Sequence, residues 1–235
     1  YLSDDAISTD DQLVIECEID RTEYRRRFYV HSNYGRAFND GLSRLVAYKC
    51  AQHATANVQV AVADNGFSIQ MPLNRKVDIA GIIHSLDPDD IVSELRAALD
   101  DTDLLKRYFR INATRSLMIL KRYKGYEKSA AQQQVSSEML LSFAKDLDSF
   151  AVIEETYREI LEDTLNITGV REIVTRIAAG DMDVVTHSVD SPSPRAFGLA
   201  TLMASDVVLA DDESAVLQEF HDRVHEAIGE PVDAE

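Results

Sequence analysis

The chain has 235 residues, 45% hydrophobic and 28% charged, with 24 Lys+Arg against 41 Asp+Glu and a formal net charge of −17. Its composition builds a core, which excludes an intrinsically disordered chain, and no apolar run approaches the roughly 20 residues that span a bilayer. The length suits one large domain or two small ones.

The sequence starts at Tyr1 with no Met, basic segment or apolar run, so it reads as a fragment of a longer protein without a signal peptide. Residues 12–19 (QLVIECEI) alternate and are rich in β-formers. Tyr24–Val30 (YRRRFYV) follows a polar break, and the two read as a hairpin. Arg25, Arg26 and Arg27 are consecutive, so a strand splits them between its faces. His31–Gly35 reads as a turn into a helix over 36–54, where Phe38, Leu42, Leu45, Val46 and Cys50 fall at helical spacing. Asn57–Ala63 and Phe67–Met71 flank Asp64-Asn65-Gly66, a second hairpin.

After Pro72 come short helices over Val77–Leu86 and Ile91–Leu99, with Asp89 and Asp90 where the helix dipole favours acids. The periodicity of Leu105, Phe109, Ala113, Leu117 and Leu120 predicts one long helix from about Leu104 to Tyr123, closed by Lys124-Gly125. Further helices are expected over Ser129–Phe150, Val152–Leu165 and Gly169–Ala179. A strand follows at Asp183–Val189, then a rigid turn at Ser191–Pro194. Phe197–Leu209 is apolar and ambiguous, and Asp212–Ile228 reads as a terminal amphipathic helix. The fold class is α+β: N-terminal antiparallel hairpins with a helix, then a helical bundle and a returning strand. Residues 1–75 form the β-rich part and 76–235 the mainly helical part.

Lys106–Lys128 holds eight cations and one acid, a net charge of +7 in a chain whose other 212 residues sum to −24. Tyr108, Phe109, Tyr123 and Tyr126 are interleaved with these cations. Such a pattern suits a phosphate backbone with exposed bases. The alternative is that the cations pair with the surplus carboxylates elsewhere. Lysine supplies only 7 of the cations and arginine 17. A carboxylate-rich, lysine-poor surface fits a salt-loaded cytoplasm, where the screening length is about 3 Å in 1 M salt, so a halophilic source is expected. Cys17 and Cys50 read as buried thiols in a reducing, cytoplasmic setting.

The sequence has no phosphate-cradling glycine loop, nucleophile elbow or HExxH motif. His221 and His225 share a helix face, but no third ligand is near, so no metal site is expected. Glu154, Glu155, Glu159 and Glu162 read as a charged helix face, with Arg158 pairing to Glu154 or Glu162. No catalytic residue is assigned.

Several segments together resemble the DEAD/H-associated domain that follows the motor of large helicase-related (Lhr-type) helicases. They are His31–Leu45, Asp64–Pro72, Arg107–Gly125, Gln132–Gln134, Phe150–Leu165 and Ser191–Pro194, in the family's order and over nearly the whole chain. The resemblance implies a superfamily 2 parent with two RecA-like domains, a winged-helix domain and then this single helicase-associated domain. Such a parent moves 3′ to 5′ on single-stranded DNA and unwinds duplex or RNA:DNA hybrid. ATP and Mg belong to the motor, so no cofactor is expected in this chain. The resemblance also implies contacts with the RecA-like and winged-helix domains, and no membrane.

On this reading Arg107, Arg110, Arg115, Lys121, Arg122 and Lys124 contact phosphates. Tyr34, Tyr123 and Tyr126 stack on bases, and Gln133, with Gln132 and Gln134, bonds sugar or phosphate. Arg110 and Arg115 have an alternative as partners of Glu155, Glu159 or Asp163. Bacterial relatives often carry Trp at the position of Leu42, where this chain offers only an aliphatic side chain. The competing role is a brace that docks on the motor.

Overall fold

The computed structural model describes residues 11–54, 58–147 and 149–205. The expected helix over Asp212–Ile228, with His221 and His225, lies outside them. The chain forms two compact units: Val92–Thr168 is one, and the residues before and after it make the other.

The first unit is built on a sheet of five strands in the order β3-β4-β2-β1-β7. Hairpin β1 (Gln12–Asp20) and β2 (Arg25–His31) forms as the alternation predicts, and β4 (Gly66–Pro72) pairs with both β2 and β3 (Gln59–Ala63). The loop of the second hairpin is Asp64-Asn65, and Gly66 is already in the ladder opposite Ala63. Gly66 has φ +154°, and a Cβ there would meet the Val30 carbonyl oxygen at 2.2 Å. Strand β7 (Asp183–Val189) returns from far along the chain and pairs parallel to β1.

Alternation divides the sheet into two faces. One face is apolar, with Leu13, Ile15, Phe28, Val30, Phe67 and Ile69 buried. The other buries Glu16, Glu18, His31, Ser68 and Gln70 around Tyr29. Helix α8 (Phe197–Ser205) sits on this second face through Ala196 and Leu199 against Tyr29. Helix α1 (Arg36–Ala54) crosses the same strands β3 and β4 from the apolar side. Leu42 is fully buried there, so it packs in the core and is closed to any base. Cys50 is buried and its thiol is pushed up to about 12 by burial. Cys17 is only half-buried.

Burying a polar group costs free energy unless it is bonded, and the carboxylates of the second face are bonded, while His31 Nδ1 and Ser68 Oγ are buried without a partner. Glu16 accepts from His31 Nε2 at 2.7 Å and from the Ser193 backbone N–H at 3.0 Å, and also takes the Ser193 hydroxyl. Tyr29 donates to Glu18 at 2.8 Å. Arg27 reaches Asp20 at 3.1 Å and Gln70 at 2.8 Å. Burial and the Glu18 carboxylate hold the Tyr29 phenol far above its ordinary range. The Ser-Pro-Ser-Pro turn is thus tied to β1 through Ser193 before α8 begins.

After α2 (Ile79–His84), helix α3 (Ile91–Leu99) leads into the second unit. There α4 (Asp103–Arg115) packs against α5 (Ala130–Lys145) and α6 (Ala151–Glu159). A π-helical turn, Ile160–Thr164, continues α6, and α7 (Ile167–Ala179) leads out of the unit. Thr102 caps α4 by accepting from Leu105 N, and Leu105, Phe109, Asn112 and Ala113 form its buried stripe. Ser129 and Gln132 form a reciprocal capping box at the start of α5.

The expected long helix over Leu104–Tyr123 is not formed. It stops at Arg115, where Leu117 adopts φ +60°. Leu117 N–H bonds Thr114 O at 3.1 Å and Met118 N–H bonds Ala113 O at 2.9 Å, the two bonds of a Schellman motif. The hydroxyls of Thr114 and Ser116 bond carbonyls four residues back, which loosens the last turn. Ile119 takes the buried position, while Leu117 and Leu120 are 74% and 41% exposed. A left-handed leucine costs about 1–2 kcal/mol. The chain then makes a two-stranded hairpin, β5 (Arg122–Tyr123) and β6 (Tyr126–Glu127). Lys124 and Gly125, expected to end a helix, have φ +49° and +80° and make its turn instead, the pattern of a type I′ connection.

Candidate nucleic-acid interface

The fold-back after Arg115 brings separated parts of the basic stretch together. Arg110, Ile111, Thr114 and Arg115 from α4, Lys121 from the segment that follows, and Gln133 from α5 line one open depression of about 250 Å³. On α4 these residues fall on the solvent side of the stripe, at i, i+1, i+4 and i+5, so helical spacing alone places them together. Lys121 and Gln133 reach the same place only because the hairpin reverses the chain between α4 and α5.

The cations here differ in how they are held. Arg115 is 66% exposed and bonds Glu159 at 3.2 Å. Its Nη1 also donates to Asn112 Oδ1 at 3.4 Å, and Asn112 donates to Glu159 at 2.8 Å and Thr156 at 3.2 Å. Arg115 therefore has the carboxylate partner that the competing reading expects and still lines the depression. Among the described residues, the side chains of Arg110 and Lys121 have no ion-pair partner. Gln133 donates to Lys128 O at 3.0 Å, which fixes its amide at the rim. Gln132 is occupied in the helix cap, and Gln134 donates to Glu138 at 3.0 Å.

Among the remaining expected residues, Arg107, Arg122 and Lys124 are not part of the lining of the depression. Arg107 is exposed on α4, its guanidinium 5.5 Å from the Tyr108 ring centre. Arg122 pairs with its cross-strand partner Glu127 at 3.0 Å, and Lys124 occupies the hairpin turn. Tyr123 and Tyr126 are register partners in the hairpin, and their side chains are outside the described set. Tyr34 belongs to the sheet unit, its ring 4.8 Å from that of Phe38.

Arg158 bonds Glu155 at both its Nε and Nη2 and Glu162 at 2.9 Å. Glu154 instead pairs with Arg96 at 2.7 Å, so the expected Arg158–Glu162 pair is present and the Arg158–Glu154 alternative is not. Tyr157 is buried, with Arg96 4.3 Å over its ring. Among the described residues no three His, Cys, Asp or Glu side chains gather into a metal site. None of the described helices is long and apolar enough to cross a membrane. Sequence reasoning missed Ile111 and Thr114 as lining residues. The available signal was their position one helical turn from Arg115 and Arg110.

The family model described as DEAD/H associated matches residues 7–196. The chain belongs to the DEAD/H-associated family. It is 39% identical over 221 residues to the ATP-dependent helicase Lhr-Core of Sulfolobus acidocaldarius, covering 94% of this chain and 25% of that protein. It is 36% identical to the ATP-dependent helicase Lhr-Core protein 2 of Thermococcus barophilus, covering 88% of this chain and 24% of that one. The helicase Lhr of Mycobacterium smegmatis, solved with ssDNA and AMP-PNP, matches with a TM-score of 0.70 at 24% identity, over 81% of this chain and 24% of that one. The DEAD/H-associated fold is therefore shared, and the chain spans about a quarter of the length of these relatives.

Proposed function

We propose that the whole chain serves as one accessory domain of an ATP-dependent, Lhr-type superfamily 2 helicase. On this reading it lies beside the track of a 3′–5′ motor and touches the tracking single strand, in a cytoplasmic, salt-rich setting. ATP and Mg are handled by the RecA-like domains of the longer protein. Single-stranded DNA or an RNA:DNA hybrid is the partner. The observation that carries the reading is the convergence of Arg110, Arg115, Lys121 and Gln133 on one depression in a chain that is otherwise strongly acidic. Three cations gathered at an open concavity suit a phosphate backbone, since neutralised phosphates release their counterions.

The test is single-strand DNA binding by the chain across a salt series, beside Arg110→Ala and Lys121→Ala. Each lost phosphate contact is expected to shallow the slope of log affinity against log salt by about 0.7. Binding indifferent to both changes overturns the reading.

A second role is favoured by a separate observation. Val135, Met139 and Phe143 on α5, with Leu147 just past it, recur every fourth residue, and all are exposed, Phe143 by 67%. Contiguous apolar surface of this kind marks an interaction face. With about three quarters of each relative lying beyond the matched region, the occupant we assign is another domain of the same polypeptide. Met139→Asp with Phe143→Asp is expected to shift the melting free energy by no more than about 0.5 kcal/mol. It is also expected to suppress concentration-dependent self-association in sedimentation and to leave single-strand affinity intact. A large loss of stability instead means the stripe is packed within the chain, and the docking role falls.

A further inference from the structure

Leu117 is a leucine in the one backbone position of its turn that glycine or asparagine normally fills, at φ +60°. Its side chain is 74% exposed and gains no burial from that conformation, and Met118 and Leu120 beside it are also exposed. The loop is nonetheless fixed. Leu117, Met118 and Ile119 N–H groups all bond carbonyls of the last turn of α4, Ile119 is buried, and Lys121 O accepts from Lys128 N at 2.9 Å. A fixed apolar tip thus stands two residues after Arg115 and four before Lys121, both of which line the cationic depression. Strained residues that persist without a packing reward concentrate at ligand-contacting sites. Cations that hold phosphates leave the attached bases within reach of the neighbouring surface, and apolar side chains wedge against unstacked bases.

We propose that Leu117, supported by Met118, is a base-contacting wedge, pressing on an unstacked base of a single strand whose phosphates are held at Arg110, Arg115 and Lys121. This rests on the nucleic-acid reading above. The occupant is a base rather than an apolar protein surface because the tip is flanked on both sides by cations of the depression, and α5 already offers a larger apolar face free of them.

The experiment compares Leu117→Gly with Arg110→Ala/Lys121→Ala in the 235-residue chain. Glycine suits the left-handed position, so the Leu117→Gly melting midpoint is expected to stay level or rise, which removes misfolding as an explanation. Its affinity for a single-stranded DNA oligonucleotide is expected to fall roughly tenfold with an unchanged salt slope, since no cation is lost. An oligonucleotide carrying 2-aminopurine is expected to brighten on binding the wild-type chain, as the base unstacks, and to stay quenched with Leu117→Gly. Unchanged affinity and unchanged brightening in Leu117→Gly overturn the wedge while the phosphate reading stands. If Arg110→Ala/Lys121→Ala also leaves binding unchanged, the phosphate reading fails and the wedge falls with it.

Discussion

Replacing Glu16 with alanine is expected to lower the unfolding free energy by about 3–5 kcal/mol, a large share of the roughly 5–15 kcal/mol that holds a domain. The carboxylate is 1% exposed and accepts from His31 Nε2, Ser193 Oγ and Ser193 N–H. Alanine strands all three donors in a site closed to water. It also removes the tie between the Ser-Pro-Ser-Pro turn and β1, so α8 keeps only its packing through Ala196 and Leu199 among the contacts described above. Glu16→Gln keeps the shape and some of the bonds and is expected to cost about 1–2 kcal/mol. Urea midpoints of the two variants against wild type check the order, and a Glu16→Ala protein as stable as wild type sinks this account of the face.

The same carboxylate sets an acid limit. Burial by itself would raise its pKa, but the hydrogen bonds from His31 and Ser193 and the charge of His31 outweigh burial and hold it below the ordinary carboxylate range. A folded pKa below the unfolded one contributes stability that is complete above the unfolded value, near 4.3, and is lost as pH falls through the folded value. The stability gap between wild type and Glu16→Gln should therefore narrow as pH falls below about 5.

Gly66→Ala is expected to cost about 3 kcal/mol or more. The new Cβ would lie 2.2 Å from the Val30 carbonyl oxygen on the neighbouring strand, at a φ of +154° that side chains rarely adopt. The obstacle is backbone in the middle of the sheet, with β2 bonded on both sides, so no flexible side chain can yield. Val30 and Phe67 are opposed in this register and fully buried, and relieving the clash would open that contact. Thermal melts showing a shift of less than a degree or two would contradict the register of β2 against β4.

Much of the architecture follows from local pattern. The alternation of residues 12–19, the hairpin around Asp64-Asn65, the helices at 36–54 and 91–99 and the strand at 183–189 are found where periodicity and turn residues place them. Periodicity suffices there because it reports which face of an element is buried, and burial is what forms the element. The composition of the basic island was equally legible. The sequence determined that cations and rings are concentrated in 106–128, and that Arg107, Arg110 and Arg115 lie off the buried stripe of their helix.

Tertiary structure decided the rest. The apolar count that extended α4 to Tyr123 treated Leu117 and Leu120 as core, but burial of Ile119 and the left-handed turn at Leu117 ended the helix at Arg115. That reversal is what sets Lys121 and Gln133 beside Arg110, and no spacing rule reaches across a chain reversal. Glu16 and Ser193 meet across 177 positions, because β7 pairs parallel with β1 after a long excursion through the other unit. Periodicity tells each residue which way to face. Which partner waits there depends on how distant segments pair, and that is settled only when the chain closes on itself.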